Sequence, residues 1–127
     1  MKTFLNILAL AAILSLPLIF QIYKVSGDSM SPAYPAGTVV LVERLTPHLF
    51  APQKGTVLVF NNPHKQGQYE ADIKRVSGLP NETVEGMHLG TVDYFVMGDN
   101  RAVSQDSRSF GAVQPTDFIG RVVWPMR

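Results

Sequence analysis

Ser29 stands in Ser26-Gly27-Asp28-Ser29-Met30-Ser31-Pro32, and its hydroxyl becomes a nucleophile only if a base takes its proton. The chain has no cysteine, which excludes a thiol nucleophile, disulfides and thiolate zinc sites together. His48, His64 and His88 lie in Pro-, Gly- or Asn-punctuated stretches without metal-ligand spacing, so no metal site is expected and none of them offers Ser29 a convincing base. Lysine remains. Lys74, in Ala71-Asp72-Ile73-Lys74-Arg75-Val76, reads as a strand residue whose side chain leaves the face shared by Ile73 and Arg75, so one of the two basic residues faces inward. An inward lysine gives up its proton more readily because burial penalises the charged form, at a cost the fold must absorb. A third cluster, Gly98-Asp99-Asn100-Arg101-Ala102-Val103-Ser104-Gln105-Asp106-Ser107-Arg108, is dense in groups suited to bracing such a pair. Each stretch alone also has a plain reading: Ser29 as a solvated turn residue, Lys74 with Arg75 as a charged strand edge, and residues 98–108 as a surface loop with Asp106 and Arg108 weakly paired.

These residues have to be held by the elements around them. After Lys2, residues 4–22 are mostly apolar, interrupted by the uncharged Asn6, Ser15, Pro17 and Gln21, and approach the ~20 residues a bilayer requires. We read residues 1–23 as a membrane anchor rather than a cleaved signal, because the small residues Ala9, Ala11 and Ala12 lie inside the run and not after it. Lys2 and Lys24 flank it, so charge alone leaves orientation open. From residue 24 to 127 the chain turns to short β-branched runs separated by Gly, Pro and Asn, which predicts strands at 38–42, 56–60, 71–76, 94–97 and 118–123. Pro47, Pro52, Pro63 and the stretch 61–67 mark turns, and Gly86 and Gly90 bracket a short hairpin. The expected fold is mainly β: an N-terminal transmembrane helix followed by a small antiparallel sheet or partly open barrel. With 127 residues there is room for one modest domain beside the anchor. Eleven basic residues against 10 acidic ones, without a basic run, argue against a nucleic-acid partner.

Taken in order, Ser29-Met30-x-Pro32, Ile73-Lys74-Arg75-Val76-x-Gly78-Leu79-Pro80 and Gly98-Asp99-Asn100-Arg101…Ser104-x-Asp106-Ser107-Arg108 resemble the signature boxes of the type I signal peptidases. Between the first two, Lys54-Gly55-Thr56-Val57-Leu58-Val59-Phe60 is similar to another of that family's strands, with Thr56 where an acidic residue is usual. The resemblance implies Ser29 as the acylated nucleophile, Lys74 as general base and the Ser29 backbone N–H as oxyanion donor. It also implies that Ser104 orients the lysine amine, that Asp106 and Arg108 form a structural ion pair, and that Asp99, Asn100 and Arg101 support the site. No cofactor is implied. Three departures stand out: Gly27 where some members carry a second oxyanion-donating serine, Ala33 where threonine is common, and a short interval between Pro80 and Tyr94.

The resemblance further implies a monomeric serine endopeptidase, single-pass in the cell membrane with its catalytic domain on the outer face. Its partners would be membrane lipid and exported precursors, from which it removes signal peptides. Two other readings fit the same residues: a maturation peptidase dedicated to one partner, and an inactive membrane-tethered module that captures apolar peptides.

Overall fold

The computed structural model describes residues 1–65 and 71–127 of the chain. Helix α1, Lys2–Ile19, has no buried residue and carries Leu5, Leu8 and Leu14 to its surface; it is long and apolar enough to cross a membrane. It stops at Ile19, short of the end of the apolar run. Pro17 lacks the N–H that would continue the ladder, and Phe20 is already extended, its N–H donating to the Leu16 carbonyl. With no linker the chain enters β1, Phe20–Lys24, a strand the sequence reading absorbed into the anchor.

The remaining strands are β2 (Val39–Glu43), β3 (Val57–Asn61), β4 (Ala71–Gly78), the small pair β5 (Thr83–Val84) and β6 (Met87–His88), β7 (Phe95–Met97) and β8 (Phe118–Trp124). The five predicted strands thus become β2, β3, β4, β7 and β8. Two short helices, α2 (Thr46–Leu49) and α3 (Ser107–Phe110), and a 3-10 turn at Pro115–Asp117 have too few residues to show a helical period. The hairpin β5–β6 turns at Glu85 and Gly86, both with positive φ, and Gly90 follows the second strand. The turn expected over 61–67 lies partly outside the described residues.

Among the described residues, six strands form one antiparallel sheet in the order β1-β2-β8-β3-β4-β7. The end strands β1 and β7 do not pair, so the sheet stays open rather than closing into a barrel. Register breaks at Leu41/Val42, Val59/Phe60 and Val76/Gly78 bend it, as bulges do. One face packs Val40, Val42, Val57 and Val59 against Val25, Met30 and Tyr34; the other packs Leu58, Phe60 and Val76 against Tyr94, Val96 and Phe118. Fully burying each such side chain contributes about 1.5–3 kcal/mol.

Candidate active site

Ser29 follows β1 in a tight turn, where Ser31 N–H donates to the Asp28 carbonyl (3.1 Å) and Tyr34 N–H to the Met30 carbonyl (2.7 Å). Its neighbour Met30 is fully buried, and the buried Tyr34 donates its hydroxyl to the Pro125 carbonyl at 2.8 Å. The nucleophile segment is therefore anchored from inside while Ser29 itself stays half-buried at a surface. From the other side, Asn100 N–H donates to the Ser29 carbonyl at 2.9 Å.

Lys74 sits on β4 directly opposite Leu58, with Asp72 opposite Phe60, so it shares the face of those core residues and is only 5% exposed. Its Nζ lies 3.0 Å from Ser29 Oγ and donates to the Ile73 carbonyl at 3.1 Å. Burial pushes the ammonium ionisation down; Asp72 and Asp106 oppose that shift and Lys65 adds to it. Arg75, the next residue, emerges on the other face and grips Asp99 with both ends of its guanidinium, Nε to Oδ1 at 2.9 Å and Nη2 to Oδ2 at 2.7 Å. Strand alternation and this clamp together decide which basic residue turns inward.

Residues 98–108 buttress the pair chiefly through backbone. The fully buried Asp106 accepts from Gly98 N–H (3.0 Å), from Arg108 Nε (2.9 Å) and Nη2 (3.0 Å), and from Arg108 N–H (3.2 Å), which makes it the N-cap of α3. Burial raises the ionisation of its carboxyl, but the Arg108 side chain and the Gly98 N–H outweigh it and hold the group at about 2. A carboxylate so depressed contributes stability above the unfolded value of 3.8 that is lost only as the pH falls toward 2. Arg108 Nη2 also donates to the Arg101 carbonyl at 2.9 Å, while the Arg101 side chain is exposed and meets Met97 Sδ. Ser107 Oγ accepts from the buried Val96 N–H at 2.9 Å.

Ser104 is brought back by a turn in which its N–H donates to the Asn100 carbonyl at 3.0 Å. Its hydroxyl lies near Asp106 without the geometry of a hydrogen bond and is a buried oxygen with no partner among the described residues. The bond to the Lys74 amine implied by the family resemblance is not formed; the amine is held by Ile73 and Ser29 instead. Gly98 packs between Ser104 and the Ser29 carbonyl so closely that a Cβ there would overlap both. That close approach, like the anchoring by Met30 and Tyr34, was not singled out from sequence; the spacing of Met30 and Tyr34, four residues apart, was the available signal.

A cleft of ≈ 1000 Å³ opens over the pair, walled by Tyr23, Gly27, Val59, Ile73 and Asn100 among others. Gly27 has φ +72°, and a side chain added there would meet nothing within 4 Å, so the position faces open space. Ser29 N–H has no acceptor among the described residues. His48 and His88 are exposed, His88 beside Thr83 Oγ1 (3.2 Å), and His64 stacks on Phe110.

A half-buried serine with a deprotonation-prone lysine at hydrogen-bond distance is an arrangement for acyl transfer. The family described as "Signal peptidase, peptidase S26" matches residues 1–93 and 86–127. The chain is 39% identical over 71 residues to signal peptidase IB of Staphylococcus aureus, a match covering 54% of this chain and 37% of that protein. It is 29% identical over 158 residues to probable signal peptidase I-1 of a Synechocystis species, covering 97% of this chain and 81% of that one. The aligned part thus spans little more than a third of the staphylococcal relative, whereas the cyanobacterial match runs almost end to end. With that likeness extending through α1, the Ser29 turn, β4 and the 98–108 segment, the chain belongs to the signal peptidase family, peptidase S26.

Proposed function

We propose that this chain is a membrane-bound signal peptidase that cleaves N-terminal signal peptides from exported precursors with Ser29 as nucleophile and Lys74 as base. The observation that carries the reading is the 3.0 Å approach of a buried Lys74 Nζ to Ser29 Oγ at the floor of an open cleft. A precursor lies extended in the cleft, α1 holds the domain (residues 24–127) at the outer membrane face, and one copy of the chain suffices. Neutral Lys74 takes the Ser29 proton as Oγ attacks the carbonyl carbon, and the Ser29 N–H meets the developing oxyanion. Lys74 then gives the proton to the leaving amine as the peptide C–N bond breaks; next it draws a proton from water, whose oxygen attacks the acyl carbon, and returns that proton to Ser29 Oγ as the ester bond breaks and the signal segment is released. Gly27 supplies no hydroxyl to the oxyanion.

Purified full-length protein in detergent micelles is expected to cut several unrelated precursors at one bond each. Cleavage of a single precursor favours the dedicated maturation peptidase, and cleavage of none refutes the enzyme. Turnover is expected to rise with pH along one ionisation lying below that of a free lysine, because burial lowers it and only the neutral amine accepts a proton. A pH profile lacking that limb, at constant fold, assigns the base to another group.

Ser104 takes the positioning role in this reading by turning its buried hydroxyl, which has no partner among the described residues, to the Lys74 amine when a precursor is bound. Ser104→Ala is expected to lower kcat by about one to three orders of magnitude with little change in KM. Ser107→Ala is expected to act differently: it strips the acceptor from the buried Val96 N–H, costing about 1–3 kcal/mol of stability and leaving kcat near wild type. Kinetics and thermal unfolding of the two variants side by side check this, and a larger kcat loss for Ser107→Ala would reverse the assignment.

A further inference from the structure

Asp72 lies two residues before Lys74 on β4, hence on the same face of the strand, and its side chain is only 11% exposed. Both of its carboxylate oxygens are engaged: Oδ1 accepts from Lys65 Nζ at 2.7 Å and Oδ2 from Asn62 Nδ2 at 2.9 Å. Asn62 also shapes the turn that delivers Lys65, its Oδ1 accepting from His64 N–H (3.0 Å) and its carbonyl from Lys65 N–H (3.2 Å). Ser29, Lys65, Asp72 and Lys74 all line the one cleft.

A carboxylate close to a lysine favours the protonated amine, which is the wrong state for a base. The charges that reach Lys74 are Asp72 from its own strand, Lys65 from the turn after β3 and Asp106 from the loop before α3. Asp106 is neutralised in place by Arg108, and Asp72 by Lys65. On the opposite face of β4, Arg75 and Asp99 cancel each other. Asp28, beside the nucleophile, is exposed to solvent, and Lys24 of β1 lies at the cleft wall. Among the described residues, the buried and half-buried carboxylates around Lys74 therefore each have a cation, and for Asp72 that cation is Lys65 from the turn after β3.

We propose that Lys65 is a positioning residue of the site: held over β4 by Asn62, it cancels the charge of Asp72 so that Lys74 is free to work as a neutral amine. This rests on the reading of Lys74 as base. The test uses the full chain in micelles with two readouts, the pH profile of precursor cleavage and the titration of Lys74 followed by the NMR shift of its Cε. Lys65→Gln is expected to move both the activity limb and the Lys74 titration to higher pH, lowering turnover below the limb by about three- to tenfold, the scale of one uncompensated charge nearby. Asp72→Asn is expected to move them the other way, and the double variant to return them close to wild type. Lys65→Arg, which keeps the cation, and Lys54→Gln, which removes the same charge from an ion pair with Glu82 outside the cleft, are expected to leave both in place. A folded Lys65→Gln protein whose Lys74 titrates as in wild type overturns the proposal. Because the NMR titration needs no turnover, absence of cleavage in every variant would refute the enzyme reading and still leave this proposal decided by the Lys74 midpoint.

Discussion

Lys74→Met is expected to give a folded protein that no longer cleaves precursors, with kcat/KM down by roughly four orders of magnitude, and Ser29→Ala the same. The methionine fills the space beside Leu58 with an uncharged chain, so what is lost is the proton acceptor and not core volume. Lys74→Arg should fail as completely, since a guanidinium stays protonated and cannot take the serine proton. The substitution to methionine carries a second signature. The folded-state ionisation of Lys74 lies below its ordinary value of 10.5, so between the two the unfolded chain binds the extra proton and wild-type stability rises with pH. Below that window burial of the lysine is a standing cost. Lys74→Met is free of it, and its Tm should exceed wild type at neutral pH by a margin that shrinks as the pH approaches 10.5. Thermal unfolding across pH, set beside the kinetics, checks both statements. An active Lys74→Met protein, or one with lowered Tm at neutral pH, counts against a neutralised buried lysine.

Gly98→Ala should also be damaging, by about a hundredfold, although it touches neither reacting group. A Cβ at this position would overlap Ser104 Oγ and lie 2.5 Å from the Ser29 carbonyl oxygen. The serine side chain can rotate away, but the carbonyl is backbone and is held by Asn100 N–H, so the nucleophile's own peptide unit has to shift. Overpacking of this kind typically costs about 1–3 kcal/mol. A displacement of the nucleophile by a fraction of an ångström to an ångström costs about a hundredfold in rate. We expect kcat/KM to fall by that order and Tm to fall with it. Wild-type kinetics in Gly98→Ala would show that the 98–108 segment does not set the position of Ser29.

Much of this arrangement is visible in the residues themselves. The β-branched runs between Pro and Gly turns announce β2, β3, β4, β7 and β8, because strand propensity and turn chemistry are local signals. Strand β1 is not visible in the same way. Phe20-Gln21-Ile22-Tyr23 continues an apolar run and would suit a helix or a strand; what makes it a strand is pairing with Val39–Glu43, a long-range contact. Alternation on β4 narrowed the inward basic residue to Lys74 or Arg75, and the resemblance to the type I signal peptidases named Lys74 together with Ser29. The Arg75–Asp99 clamp that settles the choice joins residues 24 positions apart. That the Ser104 hydroxyl is left without a partner among the described residues, and that Lys65 meets Asp72, were beyond reach, since both depend on how loops fold back over the sheet. Asp106 was read as one half of an ion pair; that it is fully buried and also caps α3 and takes the Gly98 N–H follows only from the fold.

The central claim, that Lys74 activates Ser29 to form an acyl-enzyme, is tested most directly by trapping that intermediate. Full-length protein in micelles is mixed with a precursor, quenched in acid within the first turnover, digested and weighed by mass spectrometry. The signal segment is expected to be ester-linked to Ser29 in the wild type, with no such adduct in Lys74→Met. An adduct on any other residue, or acylation of Ser29 that proceeds undiminished without Lys74, would contradict it.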